Sequence, residues 1–210
     1  FIAMRFLRFS FVSPYLWQNI NLENILIILN FLFWFYWVSV LIVISVYDFK
    51  KYLILNDVLI PAIIITFIWR ILLGFLIQKN SLNILPYFFR YLGDKSFLFG
   101  YHSYFSSLFL GIAFFCGLIS LLAWLTKEKA MGWGDAVLAF FLGSILGWPE
   151  SLIALIIGFL IGGFVSVILI AFKKKTMKSY LPFAPFLSFG ALTVLFFGDI
   201  IIKMYLSLIL

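Results

Sequence analysis

Charged residues are scarce in this chain of 210 residues. Only 11% of the residues are charged, whereas 65% are hydrophobic and 21% are aromatic. A soluble domain of ordinary composition has about 25% charged residues, so 15 basic and 8 acidic side chains are too few to cover a globule of this size. This composition excludes a soluble single domain, a disordered chain and a coiled coil. It indicates an integral membrane protein.

Cysteine and histidine are almost absent. Cys116 is the only cysteine and His102 the only histidine in the sequence. An intrachain disulfide and a cysteine-based zinc cluster are therefore excluded. Cys116 lies in an apolar run and is expected to be a small packed residue, while His102 falls in a long loop with an expected surface role. No metal site is predicted.

Long apolar runs predict six membrane-spanning helices, since a helix needs about 20 mostly apolar residues to cross a bilayer. Strand alternation is absent, so the predicted fold class is all-α, a polytopic transmembrane helical bundle. Residues 1–24 are expected to be the tail of a truncated upstream segment, with a possible truncated helix at 1–11, and residues 25–206 the membrane-embedded domain. The predicted helices cover 25–47, 58–77, 104–125, 130–148, 151–172 and 183–202.

The basic residues between these runs predict the orientation. Cytoplasmic loops of membrane proteins carry an excess of lysine and arginine, and the short loops after the first, third and fifth runs are rich in lysine. These loops, and the helix ends beside them, are predicted to face the cytoplasm. Because the charges are dispersed between apolar runs, we expect the lipid bilayer as a partner and no nucleic acid. The eight lysines are Lys50, Lys51, Lys127, Lys129, Lys173, Lys174, Lys175 and Lys178.

Two features of the runs predict how they pack. Gly143 and Gly147 are four residues apart, as are Gly158 and Gly162, and such spacing permits close helix approach in lipid. The aromatic run FLFWFYW at 31–37 is expected to contact lipid or the membrane interface.

Two of the eight carboxylates lack an ordinary explanation. Asp48 and Asp135 lie near the predicted cytoplasmic ends of different helices, Asp135 five residues, or about 8 Å, into its helix. An ionised carboxylate within a membrane costs at least ~2.5 kcal/mol, so its presence suggests function. Asp48 alone is equally consistent with an interfacial residue balanced by Lys50 or Lys51. The other six fall in loops or at helix ends: Glu23, Asp57, Asp94, Glu128, Glu150 and Asp199.

A pair of such aspartates could hydrolyse a peptide bond. Two carboxyl groups held together in a poorly solvated site cannot both ionise easily, so they share a proton. The ionised partner can take a proton from water as the water attacks a carbonyl, while the protonated partner stabilises the oxyanion and protonates the leaving amine. Water can reach the cytoplasmic edge, and Gly132 and Gly134 permit another chain to approach Asp135 closely.

Three stretches of the chain resemble the prepilin peptidase (type IV leader peptidase) family, the GxGD-type membrane aspartic proteases. The first stretch, DFKKYLILN at 48–56, is similar to that family's motif of an aspartate followed seven and eight positions later by proline and by asparagine or aspartate. MGWGDAVLAFFLGSILGWP at 131–149 resembles its GxGD segment, and LPFAPFLSFGAL at 181–192 resembles its Pro-Phe-Gly-Pro-Phe motif. All three occur in order on the predicted helices.

The resemblance implies an activity and a site. It would make Asp48 and Asp135 the catalytic pair of an endopeptidase that cleaves the leader of type IV prepilin-like or pseudopilin-like proteins. It implies the cytoplasmic membrane of a prokaryote, in a pilus or type II secretion context, and leaves the oligomeric state open. The matching motif residues with an expected supporting role are Gly132, Gly134, Pro182, Phe183 and Pro185; the last three are also expected simply to start the last helix.

The resemblance also implies which cofactors belong to the family. No cofactor is expected for proteolysis. Many members carry an N-terminal methyltransferase region with paired CxxC motifs, and zinc and S-adenosylmethionine would be needed only if such a region precedes this chain.

Three positions depart from the family pattern. Leu55 stands where the family often has proline, which is expected to change loop stiffness more than chemistry. Val137 stands two positions after the GxGD aspartate, where the family commonly has lysine, so a possible charge partner for the site is missing. Ala184 replaces the usual glycine of the third motif.

Two other functions are compatible with a pair of aspartates near a membrane edge. A proton- or cation-coupled transporter would use the aspartates as relay groups, but no internal repeat is evident. Transport sites also tend to lie near the midplane of the membrane, whereas both acids are predicted nearer its edge. A non-catalytic subunit of a pilus or secretion assembly would carry a decayed site, of which Leu55 and Val137 could be early signs. The intact aspartate pair favours the peptidase.

Overall fold

The computed structural model describes residues 22–78, 104–128, 131–173 and 181–209, which form helices joined by turns. Within these residues there is no strand, so the predicted all-helical membrane bundle is confirmed. The possible helix at 1–11 lies outside the described residues. The helices are α1 (Leu22–Lys51), α2 (Asn56–Gln78), α3 (Tyr104–Thr126), α4 (Trp133–Leu146), α5 (Glu150–Ala171) and α6 (Ala184–Ile209).

All six helices start within three residues of the predicted spans, but α4 is shorter than predicted. Helices α1, α2, α3 and α5 contain stretches that are long and apolar enough to cross a membrane. Helix α4 has 14 residues, a length of about 21 Å against a hydrocarbon core of about 30 Å. The predicted span 130–148 was too long, because α4 begins only after Gly132 and ends at Gly147, whose φ of 72° lies in the left-handed region that favours glycine.

The short helix α4 occupies the centre of the bundle. Ten of its 14 residues are buried, and it packs against α2, α3, α5 and α6. A helix that is buried on nearly all sides belongs to the interior of a membrane bundle. Asp135 of the GxGD stretch therefore lies inside the protein, whereas Trp133, the first residue of α4, is 49% exposed.

Apolar side chains from the surrounding helices fill the space around α4. Each of the following is fully buried in one continuous core: Ile44 of α1, Leu59 of α2, Phe115 of α3, Phe141 of α4 and Leu187 of α6. Large apolar side chains also cover the outside, as at Leu160 and Phe164, which are both 68% exposed. Because lipid is as apolar as these side chains, close packing and buried polar contacts must hold the helices together.

The glycines of α4 permit its closest helix contact. A Cβ atom on Gly143 would lie 2.8 Å from the carbonyl oxygen of Gly111 in α3, and one on Gly111 would lie 2.6 Å from the Cα of Gly147. Real Cβ atoms essentially never approach so closely, so these positions have no room for a side chain. The close packing predicted from the spacing of Gly143 and Gly147 is confirmed.

On α5, the second glycine pair also packs closely. A Cβ atom on Gly158 would lie 3.2 Å from the carbonyl oxygen of Phe186, and one on Gly162 would lie 3.3 Å from the ring of the same residue. The next residue, Gly163, has open space beside it. Gly158 and Gly162 thus bring α5 against the first turns of α6, while Gly163 does not contribute.

The aromatic run at 31–37 divides between the lipid and the core. Phe35 is 60% exposed, as predicted, but the expectation is wrong for Trp37, which is only 3% exposed. The Trp37 Nε1–H donates a hydrogen bond to Thr66 Oγ1 of α2 at 3.0 Å. Because a buried indole N–H needs an acceptor, Thr66 explains why Trp37 points inward and how α1 is joined to α2.

Replacing Gly143 by alanine should destabilise the bundle. The added methyl group would overlap the α3 backbone, and overpacking of this kind costs about 1–3 kcal/mol. The expected result is a lower midpoint of thermal unfolding in detergent. Gly163→Ala is the matched control, since its methyl group meets nothing and alanine is preferred over glycine in a helix by about 0.5–1 kcal/mol. Equal midpoints for the two variants would contradict the packing described.

Candidate active site

The two aspartates lie at the same end of the bundle, in the interior. Asp48 is in the last turn of α1 and Asp135 in the first turn of α4. Their side chains are only 4% and 7% exposed, respectively. Burial of a carboxylate is costly unless hydrogen bonds or charges compensate, so the neighbours of each side chain decide what it can do.

Asp135 is held by the backbone at the start of α4. Gly132 is the N-cap residue of α4, in extended conformation, and its N–H donates a hydrogen bond to Asp135 Oδ2 at 3.3 Å. This is one half of a capping box. Asp135 was predicted five residues into its helix but is the third residue, because α4 begins at Trp133. In the first turn, the helix dipole favours a negative charge.

Asp48 is held by a different helix. The N–H of Ala184, the first residue of α6, donates a hydrogen bond to Asp48 Oδ2 at 3.2 Å. Lys50 and Lys51 of α1 are exposed, whereas Asp48 is buried. The alternative of an interfacial aspartate balanced by these lysines therefore does not fit, and Asp48 belongs to the interior contact between α1 and α6.

The structure brings the three stretches of the sequence together. The turn that follows Asp48 packs against the turn of α4 that carries Asp135. A Cβ atom on Gly134 would lie 3.2 Å from the Cβ of Ile54, in the turn between α1 and α2. With the bond from Ala184 to Asp48, the first stretch contacts both the second and the third.

The supporting residues of the third stretch build the start of α6. Pro182 is buried two residues before the helix begins, and Pro185 is its buried second residue. The Phe183 carbonyl accepts hydrogen bonds from the N–H groups of Phe186 and Leu187, at 3.0 and 3.2 Å. These residues set where α6 begins, and thereby where the Ala184 N–H lies.

Two of the departures from the family pattern have structural roles. The Leu55 carbonyl accepts hydrogen bonds from the N–H groups of Val58 and Leu59 and so starts α2. Val137 is half-buried and packs against the core. Neither position brings a charge to the aspartates.

Asp135 is recessed from the end of the bundle. Helices α3 and α4 touch at Gly111 and Gly143. Thr126, at the end of α3, lies 15 residues or about 22 Å beyond Gly111. Asp135, at the start of α4, lies only eight residues or about 12 Å before Gly143. For antiparallel helices, the Asp135 backbone therefore lies about 10 Å short of the end of α3.

A cleft lies beside this recess without including the aspartates. It has a volume of about 410 Å³. Trp133 and Asp135 are two residues apart, and such residues do not share a face of a helix. Exposed tryptophans near a helix end are typical of a membrane interface. The cleft is lined by Ala123, Trp124, Leu125, Lys127, Glu128 and Trp133.

Arg70 of α2 is a buried charge that was not predicted from the sequence. This residue is 1% exposed, and its guanidinium carbon lies 5.0 Å from the centre of the Tyr104 ring in α3. An arginine over an aromatic ring makes a favourable cation–π contact. The signal was available, since an arginine inside a long apolar run is rare and costly. Arg70 lies about 21 Å along α2 from Asn56. It therefore joins α2 to α3 at a distance from the aspartates.

The site therefore consists of two buried carboxylates, each with one backbone N–H at the start of a helix. In the described parts of the chain, no group of three or more His, Cys, Asp or Glu side chains could hold a metal ion. The fold and the site together define a helical membrane protein with a pair of buried carboxylates on separate helices.

Comparison with known families identifies the chain. The model of the type IV leader peptidase family matches residues 35–167, more than half of the sequence. The chain belongs to this family and is a multi-pass membrane peptidase. The match includes Asp48 and Asp135 and ends before the third stretch at 181–192. Comparisons with curated proteins and with solved structures give no significant match.

The contact between Ile54 and Gly134 can be tested by a double substitution. Gly134→Val should lower the thermal midpoint in detergent, because its side chain would press against Ile54. Ile54→Ala in the same chain should restore part of the loss by removing the obstacle. Each single variant is measured as the control. Residues in contact give non-additive changes in unfolding free energy, so simple additivity would mean that the two stretches do not touch.

Proposed function

We propose that the protein is an aspartic endopeptidase that cleaves the leader peptide of type IV prepilin-like or pseudopilin-like proteins. One observation carries the proposal. In a member of the leader peptidase family, two buried carboxylates from different helices, Asp48 and Asp135, lie at the same end of the bundle, and each accepts a hydrogen bond from a backbone N–H at the start of a helix. Among the acidic residues whose side chains the structure describes, no others are buried.

The proposed reaction follows from the shared burial of the two carboxyl groups. Since both cannot easily ionise together, one proton is shared between them. The ionised group takes a proton from water as the water oxygen attacks the peptide carbonyl carbon. The protonated group donates to the carbonyl oxygen; when the C–N bond breaks, the leaving amine receives a proton. Gly132 and Ala184 would hold the carboxylates through their N–H groups.

No cofactor takes part in this proposed reaction. Zinc and S-adenosylmethionine would belong only to a methyltransferase region of the kind found in many relatives, and none of the steps above uses them.

The recess above Asp135 supports access of water and substrate. Because Asp135 lies about 10 Å below the end of α3, a substrate segment and water would enter from that end without crossing the apolar core. An extended segment would leave its peptide carbonyls free for attack, whereas a helical one has them hydrogen-bonded.

We further propose that the site faces the cytoplasm, in the cytoplasmic membrane of a prokaryote. Four lysines that mark the ends of α1, α3 and α5 are exposed at the end of the bundle that holds the aspartates: Lys50, Lys51, Lys127 and Lys173. An excess of positive charge on one side is typical of the cytoplasmic face.

Asp48→Asn and Asp135→Asn should each abolish cleavage of a prepilin-like substrate, by a factor of at least about 10³, since asparagine cannot accept or deliver the proton. The expected measurement is release of the leader peptide from a purified prepilin by the protein in detergent or in proteoliposomes.

The control for this experiment is Asp57→Asn, which neutralises an exposed aspartate at the start of α2 and should leave cleavage intact. Membrane insertion and thermal midpoint should be retained in both site variants, since asparagine keeps an oxygen that can accept the hydrogen bond. Normal processing by either site variant would refute the aspartate mechanism.

The orientation can be tested by labelling a single cysteine. In a Cys116→Ser background, Lys127→Cys should react with a membrane-impermeant maleimide in inverted membrane vesicles but not in intact cells or spheroplasts. Lys79→Cys, placed in the connection after α2, should show the opposite pattern. The reverse result for the two positions would place the aspartates on the other side of the membrane.

A further inference from the structure

The first turn of α6 leaves one N–H that needs an acceptor from outside the helix. The first N–H groups of any helix lack partners within it. Here Pro185 has no N–H, and the N–H groups of Phe186 and Leu187 donate to the Phe183 carbonyl. The N–H of Ala184 remains, and Asp48 Oδ2 accepts its hydrogen bond at 3.2 Å. The Asp48 side chain thus caps a helix distant in sequence.

Both partners of this bond are removed from solvent. Ala184 is fully buried and Asp48 is 4% exposed, so bulk solvent competes little with this bond. Asp48 also lies in the last turn of α1, where the negative end of the helix dipole opposes an anion. The positive end of α6, together with the Ala184 N–H, offsets that opposition.

We propose that the Ala184 N–H is a positioning group, which holds the Asp48 carboxylate towards Asp135 and stabilises its ionised form. This inference rests on the proposed function, because it assigns to the start of α6 the preparation of one of the two reacting carboxylates. It also accounts for a departure in the third stretch. The donor belongs to the backbone, so alanine serves at position 184 as glycine would.

The other charges around Asp48 are few. Among the described residues, the titratable side chain that α4 presents to it is Asp135, and α6 carries no acidic or basic residue from Ala184 to Gly198. Asp57 of α2 and the lysines Lys50 and Lys51 of α1 are exposed. A change in the ionisation of the pair after loss of the Ala184 N–H would therefore report on that bond.

The test is Ala184→Pro, which removes the donor. Position 184 is the first residue of α6, where proline is well accepted because its fixed φ suits the helix and its N–H is not used within it. We expect the acid limb of the kcat/KM profile to move to higher pH by about one unit. We also expect kcat to fall more than KM changes, since the change acts on a reacting group.

Ala184→Gly is the matched variant, since it retains the N–H. Its acid limb should stay at the wild-type pH, whatever its effect on kcat. An acid limb that stays in place in Ala184→Pro, or that moves equally in both variants, would overturn the positioning role.

A second measurement makes the inference independent of peptidase activity. In a thermal-unfolding cycle, the destabilisation caused by Ala184→Pro should be smaller in an Asp48→Ala background, where the acceptor is already absent. Equal destabilisation in both backgrounds would overturn the hydrogen bond itself. Failure of the wild-type protein to cleave a prepilin would instead refute the proposed function, while this cycle would still report on the contact.

Discussion

The burial of two carboxylates at one end of an apolar bundle is the constraint on which the rest of this structure depends. A membrane interior tolerates such groups only where hydrogen bonds and dipoles compensate. Asp48 and Asp135 each receive one N–H from the beginning of a helix. The beginnings of α4 and α6 must therefore lie at the same end of the protein as the last turn of α1.

The length of α4 follows from that requirement. A helix of 14 residues cannot cross the hydrocarbon core alone, yet its shortness lets its first turn lie below the end of α3. Glycine contacts with α3 hold it at that depth, because Gly111 and Gly143 leave no space between the backbones. The packing of small residues in the middle of the bundle and the recess at its end are parts of one arrangement.

Composition and residue spacing predicted the helical class, the helix positions and the two aspartates, because apolar length and misplaced charge are strong local signals. They did not predict that α4 would start at Trp133, since a cap at Gly132 has no side chain to mark it. Trp37 was expected at the lipid, and only its partner Thr66, 29 residues away, explains its burial. The bond from Ala184 to Asp48 joins residues 136 positions apart, so no local pattern could have indicated it.

The proposed reaction requires Asp48 and Asp135 to act together on one water molecule. The most direct measurement is an experimental structure of the protein with an uncleaved substrate peptide bound. We expect a water molecule within hydrogen-bond distance, about 2.6–3.2 Å, of a carboxylate oxygen from each aspartate and next to the scissile carbonyl. Carboxylates separated by more than about 10 Å, too far to share a water molecule, with the peptide bound elsewhere, would contradict it.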